Sequence, residues 1–455
     1  MSVLNIDHFV AITLSIIPWL SGASSGALFA KSTLNGFSGL AIRAGVGGFI
    51  GYVLMATFFS MASLLGFASE VIFTVTISFF TTNLFINCFW LISRRVQIGK
   101  VRTVHLNLVC FVLIVLTLLL FIWRTAIHNS YPLSGWDVMD FWGPMSIKVV
   151  EDTLVWYHYL HRHPLTDARI LAWPGWVSKA MEIGSLSFWP WAMLSVSLCL
   201  TTFGICSRLV GHKIAVIALT LVMTIPLIEN HFLLAGYAEN WLAFSVTAAT
   251  GLIAIGVSEE KSKLIFVGLT LSLTSLLFKN TGPLYASIPI LSYLFSCKLE
   301  QQLRQKVLLL SVVLVSLPIA YIFFRDLKLE VFGKELKLIS GPLRLIFYNQ
   351  VHAWIFNSTF NVIFISYAVV VIGTIFAKPQ RGDCARRLYF VATNMLLFSM
   401  TISQIFEYPY LHATPQNDTG NSRFSIPLAV LMLHSVAATM GKYIAQQDGT
   451  TQSRR

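Results

Sequence analysis

The chain has 455 residues, 56% of them hydrophobic and 11% charged, with a mean hydropathy of +0.71. A soluble domain carries roughly 25% charged residues, so this chain lacks the polar surface needed to cover a water-soluble globule. Its net charge of +12 is read as anchoring cytoplasmic loops against anionic headgroups, not as nucleic-acid binding.

The hydrophobicity is segmented. Thirteen spans are predicted, at about 8–27, 44–66, 71–93, 105–123, 190–207, 214–235, 241–257, 264–278, 283–297, 307–324, 353–377, 388–406 and 424–441. A helix needs about 20 apolar residues to cross the hydrocarbon core. Runs such as Leu106–Trp123 and Leu264–Phe278 are free of charge and end at Arg124 and Lys279. They do not alternate over about 10 residues, as strands of an outer-membrane barrel would. The expected fold is therefore all-α, one polytopic transmembrane helical bundle over 1–455. The first segment has Asp7 and no basic region before its apolar run, which reads as a retained span and not a cleaved signal. Cys88, Cys110, Cys199, Cys206, Cys297 and Cys384 form no close CxxC pair, so neither a disulfide framework nor a zinc site is indicated.

An odd number of spans puts the two ends on opposite sides. With the N-terminus outside and the C-terminus cytoplasmic, 20 of the 32 Lys and Arg fall inside, mostly in short loops, where the positive-inside bias acts most strongly. Of the 20 acids, 15 fall outside. Three long outside loops follow: Arg124–Trp189, Arg325–His352 and Glu407–Arg423. Loops longer than about 12–15 residues are usually functional or disordered, and the first is rich in Trp, Tyr, His and Pro, a poor composition for disorder. Within it, Ile147–His161 has the pattern of an interfacial amphipathic helix, with Val150, Leu154 and Tyr157 on one face and Lys148, Glu151 and Asp152 on another.

Four segments on this side carry chemistry. The first is Ser134–Pro144, where Asp137 and Asp140 lie three apart among Trp136, Phe141 and Trp142. Carboxylates against aromatic walls are partly desolvated and so more basic, as a general base must be. An aromatic interface belt with two solvated acids has the same composition. The second is Gly236–Asn240, in which Glu239, with Glu229 and His231 before it, puts acids at the bilayer boundary, where they are costly and tend to be functional. A third segment, Phe278–Pro283, contains Lys279, a lone cation on the side where the charge rule disfavours one; a phosphate or acidic partner would account for it. The fourth places Arg423 just before the last span, where a guanidinium can hold a lipid phosphate through paired hydrogen bonds. Asn417-Asp418-Thr419 and Asn357-Ser358-Thr359 are formal glycosylation sequons, which would mean nothing if the protein were bacterial.

Taken in order, these motifs resemble the polytopic lipid-linked-sugar glycosyltransferases of the GT-C superfamily, particularly bacterial members related to the dolichyl-phosphate-mannose mannosyltransferases. The W-D-x-x-x-x-W segment of that family is matched by Trp136, Asp137 and Trp142, and its G-Y-A-D by Gly236, Tyr237, Ala238 and Glu239. K-N-E-G is matched by Lys279, Asn280 and Gly282, and a late S-R element by Ser422 and Arg423. Glu239 replaces the usual Asp, Thr281 stands where an acid is expected, Lys148 is displaced from the family's lysine, and only His163-Pro164 remains of a His-Pro-x-Tyr-Pro element.

The resemblance implies an inverting glycosyltransferase of a bacterial inner (plasma) membrane that builds cell-envelope glycans. Its donor would be a polyprenyl-phosphate-linked sugar lying among membrane lipids. A glycan, lipid or protein would be the acceptor. Asp137 or Asp140 would be the catalytic base, Lys279 and Arg423 would bind the donor phosphate, and Trp136, Trp142, Tyr237, Glu239 and His163 would support the site. Asp137, Asp140 and Glu239 are also oxygen ligands of the kind that hold a divalent cation, Mg or Mn. Two rivals use the same groups: a transporter or flippase of a lipid-linked saccharide, which calls for inverted repeats, and a polysaccharide polymerase or ligase, for which Arg325 and Arg344 would be the arginines of a late loop.

Overall fold

The computed structural model describes residues 6–28, 33–93, 108–128, 143–150, 166–183, 186–225, 236–279, 281–298, 329–331, 334–338, 361–376, 384–407 and 419–447. Helices dominate: α1 (Ile6–Leu28), α2 (Gly36–Leu64), α3 (Ser69–Ser93), α4 (Leu108–His128), α5 (Gly143–Val150), α6 (Thr166–Ala180), α7 (Trp189–Leu209), α8 (His212–Thr224), α9 (Ala238–Ser258), α10 (Ser262–Leu273), α11 (Gly282–Tyr293), α12 (Asn361–Phe376), α13 (Cys384–Ile405) and α14 (Thr419–Gln447). Among the described residues six of these, α1, α2, α3, α4, α7 and α9, are long and apolar enough to cross a membrane, and they mark the chain as an integral membrane protein.

Thirteen spans are predicted from the sequence, against these six among the described residues. The apolar helices His212–Thr224 and Ser262–Leu277 are shorter, the apolar stretches Asn361–Ile372 and Ile426–Gly441 are parts of the longer helices α12 and α14, and the predicted span at 307–324 lies outside the described residues. The amphipathic helix predicted from Ile147 begins earlier, at Gly143, because Pro144 suits the first turn, where its missing N–H costs nothing. Met145 and Val149 are buried while Ile147 is exposed; residues 151–161 lie outside the described residues.

Three short strands accompany the helices, β1 (Leu329–Val331), β2 (Lys334–Leu338) and β3 (Phe406–Glu407). They form an antiparallel sheet in the order β1-β2-β3, with Lys337 opposite Glu407 and Leu338 opposite Phe406. This pairing joins the second predicted outside loop to the start of the third.

The bundle is built around α9, of which 89% of the apolar window is buried, whereas for α4 the share is 17%. Apolar surface on α9 meets α7, α10, α11, α13 and α14. On α3 and α4 it is left outward, with Phe79, Phe85, Phe89, Leu118 and Ile122 exposed, as lipid-facing helices require. Van der Waals packing and polar contacts hold membrane helices together, since lipid tails are as apolar as leucine. Helices α1 and α2 therefore cross on glycines: a Cβ on Gly22 would meet the backbone of Gly47 and Gly51, and one on Gly47 would meet that of Gly22 and Gly26. The amide of Asn83 on α3 reaches Ser21 Oγ of α1 at 2.6 Å, and that of Asn87 reaches Ser25 Oγ at 2.8 Å.

Helix ends sort into two sets. At one end Arg208, closing α7, donates to both oxygens of Glu259 at 2.8 and 2.9 Å and to the carbonyl of Asn35 at 3.2 Å. Lys261 donates to Glu259 at 2.8 Å and to the carbonyl of Thr33 at 2.9 Å. One carboxylate thus clamps the ends of α7 and α9 to the α1–α2 link. Gly441 of α14 abuts Val210 at this same basic end. Burial pulls the Glu259 carboxyl up, but hydrogen bonds and charges from Arg208 and Lys261 outweigh it and leave the group below the ordinary carboxylate range. A depressed folded-state pKa stabilises above the unfolded value, about 4.3 for Glu, and the gain is lost as pH falls through the folded pKa. The clamp is partly exposed and screened, so its contribution is expected at no more than about 1 kcal/mol. The expected result is a stability loss in detergent below about pH 4.3 that Glu259→Gln makes shallower, read from thermal unfolding against pH.

Candidate functional site

At the opposite end from that clamp, two of the predicted motifs meet. Gly236 has a positive φ of 94°, a conformation that costs a residue with a Cβ and costs glycine little. It turns the chain into Tyr237, which precedes α9 in extended backbone at φ −96° and ψ 127°. Glu239 then falls in the first turn of α9, where the partial positive charge of the helix N-terminus favours a carboxylate.

The second strand of the site is a turn after α10. That helix tightens into a 3-10 turn at Thr274–Leu277, and the N–H of Gly282 donates to the carbonyl of Lys279 at 2.7 Å before α11 begins. A Cβ on Gly282 would meet the carbonyl of Ser275, so this turn closes only on glycine. Ser245 of α9 staples the 3-10 turn through hydrogen bonds to the carbonyl of Leu271 at 3.0 Å and the hydroxyls of Thr274 and Ser275 at 2.9 Å.

Aromatic packing then fixes the two strands against each other. Trp241 stacks on Phe278 with centroids 5.5 Å apart and planes 13° apart. Trp191 and Tyr52 meet Trp241 edge-on, each at 5.7 Å, and the Trp191 indole donates to the carbonyl of Tyr237 at 3.1 Å. Glu239 lies two residues before Trp241, and Lys279 follows Phe278. The stack therefore brings carboxylate and ammonium together: Lys279 Nζ lies 2.5 Å from Glu239 Oε1, with side-chain exposures of 17% and 2%. Lys279 is thus not the lone cation its sequence position suggested. A fully buried aromatic box lies beneath it, and Phe49, Phe244, Trp191, Trp241 and Phe278 are all buried.

The large aromatic loop also reaches this end. Thr166, opening α6, donates its hydroxyl to the carbonyl of Leu277 at 2.5 Å. Further along α6, the Trp173 indole donates to the carbonyl of Leu14 at 3.1 Å, and Phe73 is stacked on Trp173 and Trp176 at 5.8 and 4.7 Å. The helix carries a group that sequence reasoning missed, Arg169, 5% exposed. Burial lowers its guanidinium to about 10, so it stays charged at neutral pH. Its signal was available, as a single cation inside the apolar run Ala168 to Trp173.

Asp137, Asp140, Trp136, Trp142 and His163 lie outside the described residues, as do Glu229 and His231. Ser422 and Arg423 lie in the first turns of α14. Among the described residues no group of three or more His, Cys, Asp or Glu could hold a metal ion. Glu239 does not suit one, because the Lys279 ammonium already occupies its oxygen and would repel a divalent cation. Compared with known proteins, the chain matches no family model, no curated protein and no solved structure.

Proposed function

We propose that the chain is an inverting glycosyltransferase that moves a sugar from a polyprenyl-phosphate donor to an acceptor on the extracytoplasmic face of a bacterial plasma membrane, with the N-terminus outside and the C-terminus cytoplasmic. One observation carries the reading. Two motif segments whose key residues lie 40 apart are joined by the Glu239–Lys279 ion pair, at the end where α6 of the aromatic loop docks. The basic clamp of Arg208 and Lys261 lies at the other end, as the positive-inside bias asks of a site facing outward.

The loop carboxylates supply the base. Asp137 or Asp140 takes the proton from the acceptor hydroxyl as its oxygen bonds to the anomeric carbon. The bond from that carbon to the phosphate oxygen breaks and leaves its electron pair on the phosphate, through an oxocarbenium-like transition state. A lipid phosphate is a weak base and needs no strong acid to leave; cations in a poorly hydrated setting stabilise its charge, and Lys279 and Arg423 are assigned that role.

The test is an assay of purified protein in detergent with radiolabelled polyprenyl-phosphate sugars, comparing wild type with Asp137→Asn and Asp140→Asn. Transfer or slow hydrolysis of one donor is expected in the wild type. The variant that lacks the base should lose turnover and keep donor binding. Donor binding without turnover, unchanged in both variants, would favour a transporter of the lipid-linked sugar instead.

A further inference from the structure

We infer that Glu239 is an exchangeable counter-ion, which holds the Lys279 ammonium in the resting protein and yields it to the phosphate of a lipid-phosphate ligand. The inference rests on the glycosyltransferase reading, in which such a phosphate is the leaving group. Three features of the site support it.

The first is the unequal burial of the pair. Glu239 is enclosed and Lys279 is the more open partner, at 2% against 17% side-chain exposure. Of the two, the ammonium is the group more open to an arriving anion. A second is the backbone of each partner. Glu239 is fixed in the first turn of α9, where the helix N-terminus partly compensates its charge once the lysine leaves. Lys279 sits in the turn between the 3-10 segment and α11, so its side chain can re-aim without breaking a helix. The third is an available donor: the Thr281 hydroxyl, two residues beyond Lys279, is buried without a hydrogen-bond partner among the described residues. A buried polar group of this kind calls for a partner, and a phosphate oxygen beside Lys279 is of the right chemistry to provide one.

Charge then sets the direction of the exchange. A donor phosphodiester carries one negative charge. The monoester left when the sugar departs carries about −1.5 to −2 at pH 7. Two anions on one ammonium repel, so Glu239 disfavours the donor while its phosphate is singly charged. Lys279 transfers to the phosphate most strongly as the second charge develops. An interaction that strengthens on the way to the transition state accelerates the reaction, and equal binding of both states does not. After transfer, the same carboxylate competes for Lys279 and shortens retention of the lipid-phosphate product.

The experiment titrates the purified full-length protein in detergent with farnesyl phosphate, with farnesol and inorganic phosphate as separate titrants. Glu239→Gln is expected to bind farnesyl phosphate roughly tenfold tighter than wild type, since one repulsive charge is gone. Glu239→Asp, which keeps the charge, should stay near the wild-type value. Equal tightening towards inorganic phosphate supports the exchange and assigns recognition to the phosphate alone. Unchanged or weaker farnesyl phosphate binding by a folded Glu239→Gln protein overturns it, as does farnesol binding as tightly as farnesyl phosphate. Should Glu239→Gln fail to fold, infrared difference spectra of wild type decide: a carboxylate band shift on saturation is expected, and an unchanged spectrum overturns the exchange. Absence of any sugar transfer by the wild type, with the tightening in Glu239→Gln intact, would sink the glycosyltransferase reading and leave the counter-ion exchange standing.

Discussion

Lys279→Met is expected to cost roughly 3–5 kcal/mol of stability, because removing one partner of a buried ion pair leaves the other uncompensated. The partner left behind is Glu239, with 2% of its side chain exposed, held in place by the first turn of α9. The reverse change is milder: Glu239→Gln leaves an ammonium with 17% exposure, which water partly solvates. Removing both charges should recover most of the loss, since apolar replacement of a whole buried pair is often neutral or stabilising. Unfolding midpoints in detergent for Lys279→Met, Glu239→Gln and Lys279→Met with Glu239→Leu test this ordering. A single Lys279→Met variant as stable as wild type would contradict the buried pair.

Gly51→Val is the second large expected effect. A Cβ at Gly51 would meet the carbonyl of Pro18 and lie 3.3 Å from the Cα of Gly22. Both are backbone atoms in another helix, so no side-chain rotation relieves the overlap and α1 must move away from α2. Overpacking a well-packed interior typically costs 1–3 kcal/mol and occasionally more; here the loss is expected at about 3 kcal/mol, because the Asn83 and Asn87 hydrogen bonds to α1 shift with it. Gly175 is the control. It lies inside α6, and the place its Cβ would take has no neighbour within 4 Å among the described residues. Gly175→Ala should therefore be neutral or stabilise by up to about 1 kcal/mol through the lower helix cost of alanine. The same unfolding measurement separates the two glycines.

Much of the architecture could be read from the residues. The apolar run at 241–257 became α9 and the run at 190–207 became α7, because long charge-free segments admit few alternatives in a membrane. The two ends of the bundle were legible as well, since Arg208 and Lys261 cluster at one end and Glu239 at the other. What could not be read were meetings between distant segments. Lys279 looked isolated because its partner lies 40 residues earlier and is brought to it by the stacking of Trp241 on Phe278. The crossing of α1 and α2 depends on Gly22 and Gly26 facing Gly47 and Gly51, which needs two helix rotations at once. Apolar periodicity also could not tell α9 from α4: both are hydrophobic all round, one because protein surrounds it and the other because lipid does. The three strands were missed because two to five residues in a loop carry too little alternation to register.

The enclosure of α9 has a consequence for biogenesis. During synthesis this helix enters the bilayer after α1, α2 and α7 but before α13 and α14, which complete its surroundings. Until α10 and its 3-10 turn follow, Ser245, buried in the finished protein, lacks the Leu271 carbonyl and the Thr274 and Ser275 hydroxyls that it meets there. A nascent chain halted after α9 therefore lacks most of the helices that bury its central column, α10 and α11 being made next and α13 and α14 last.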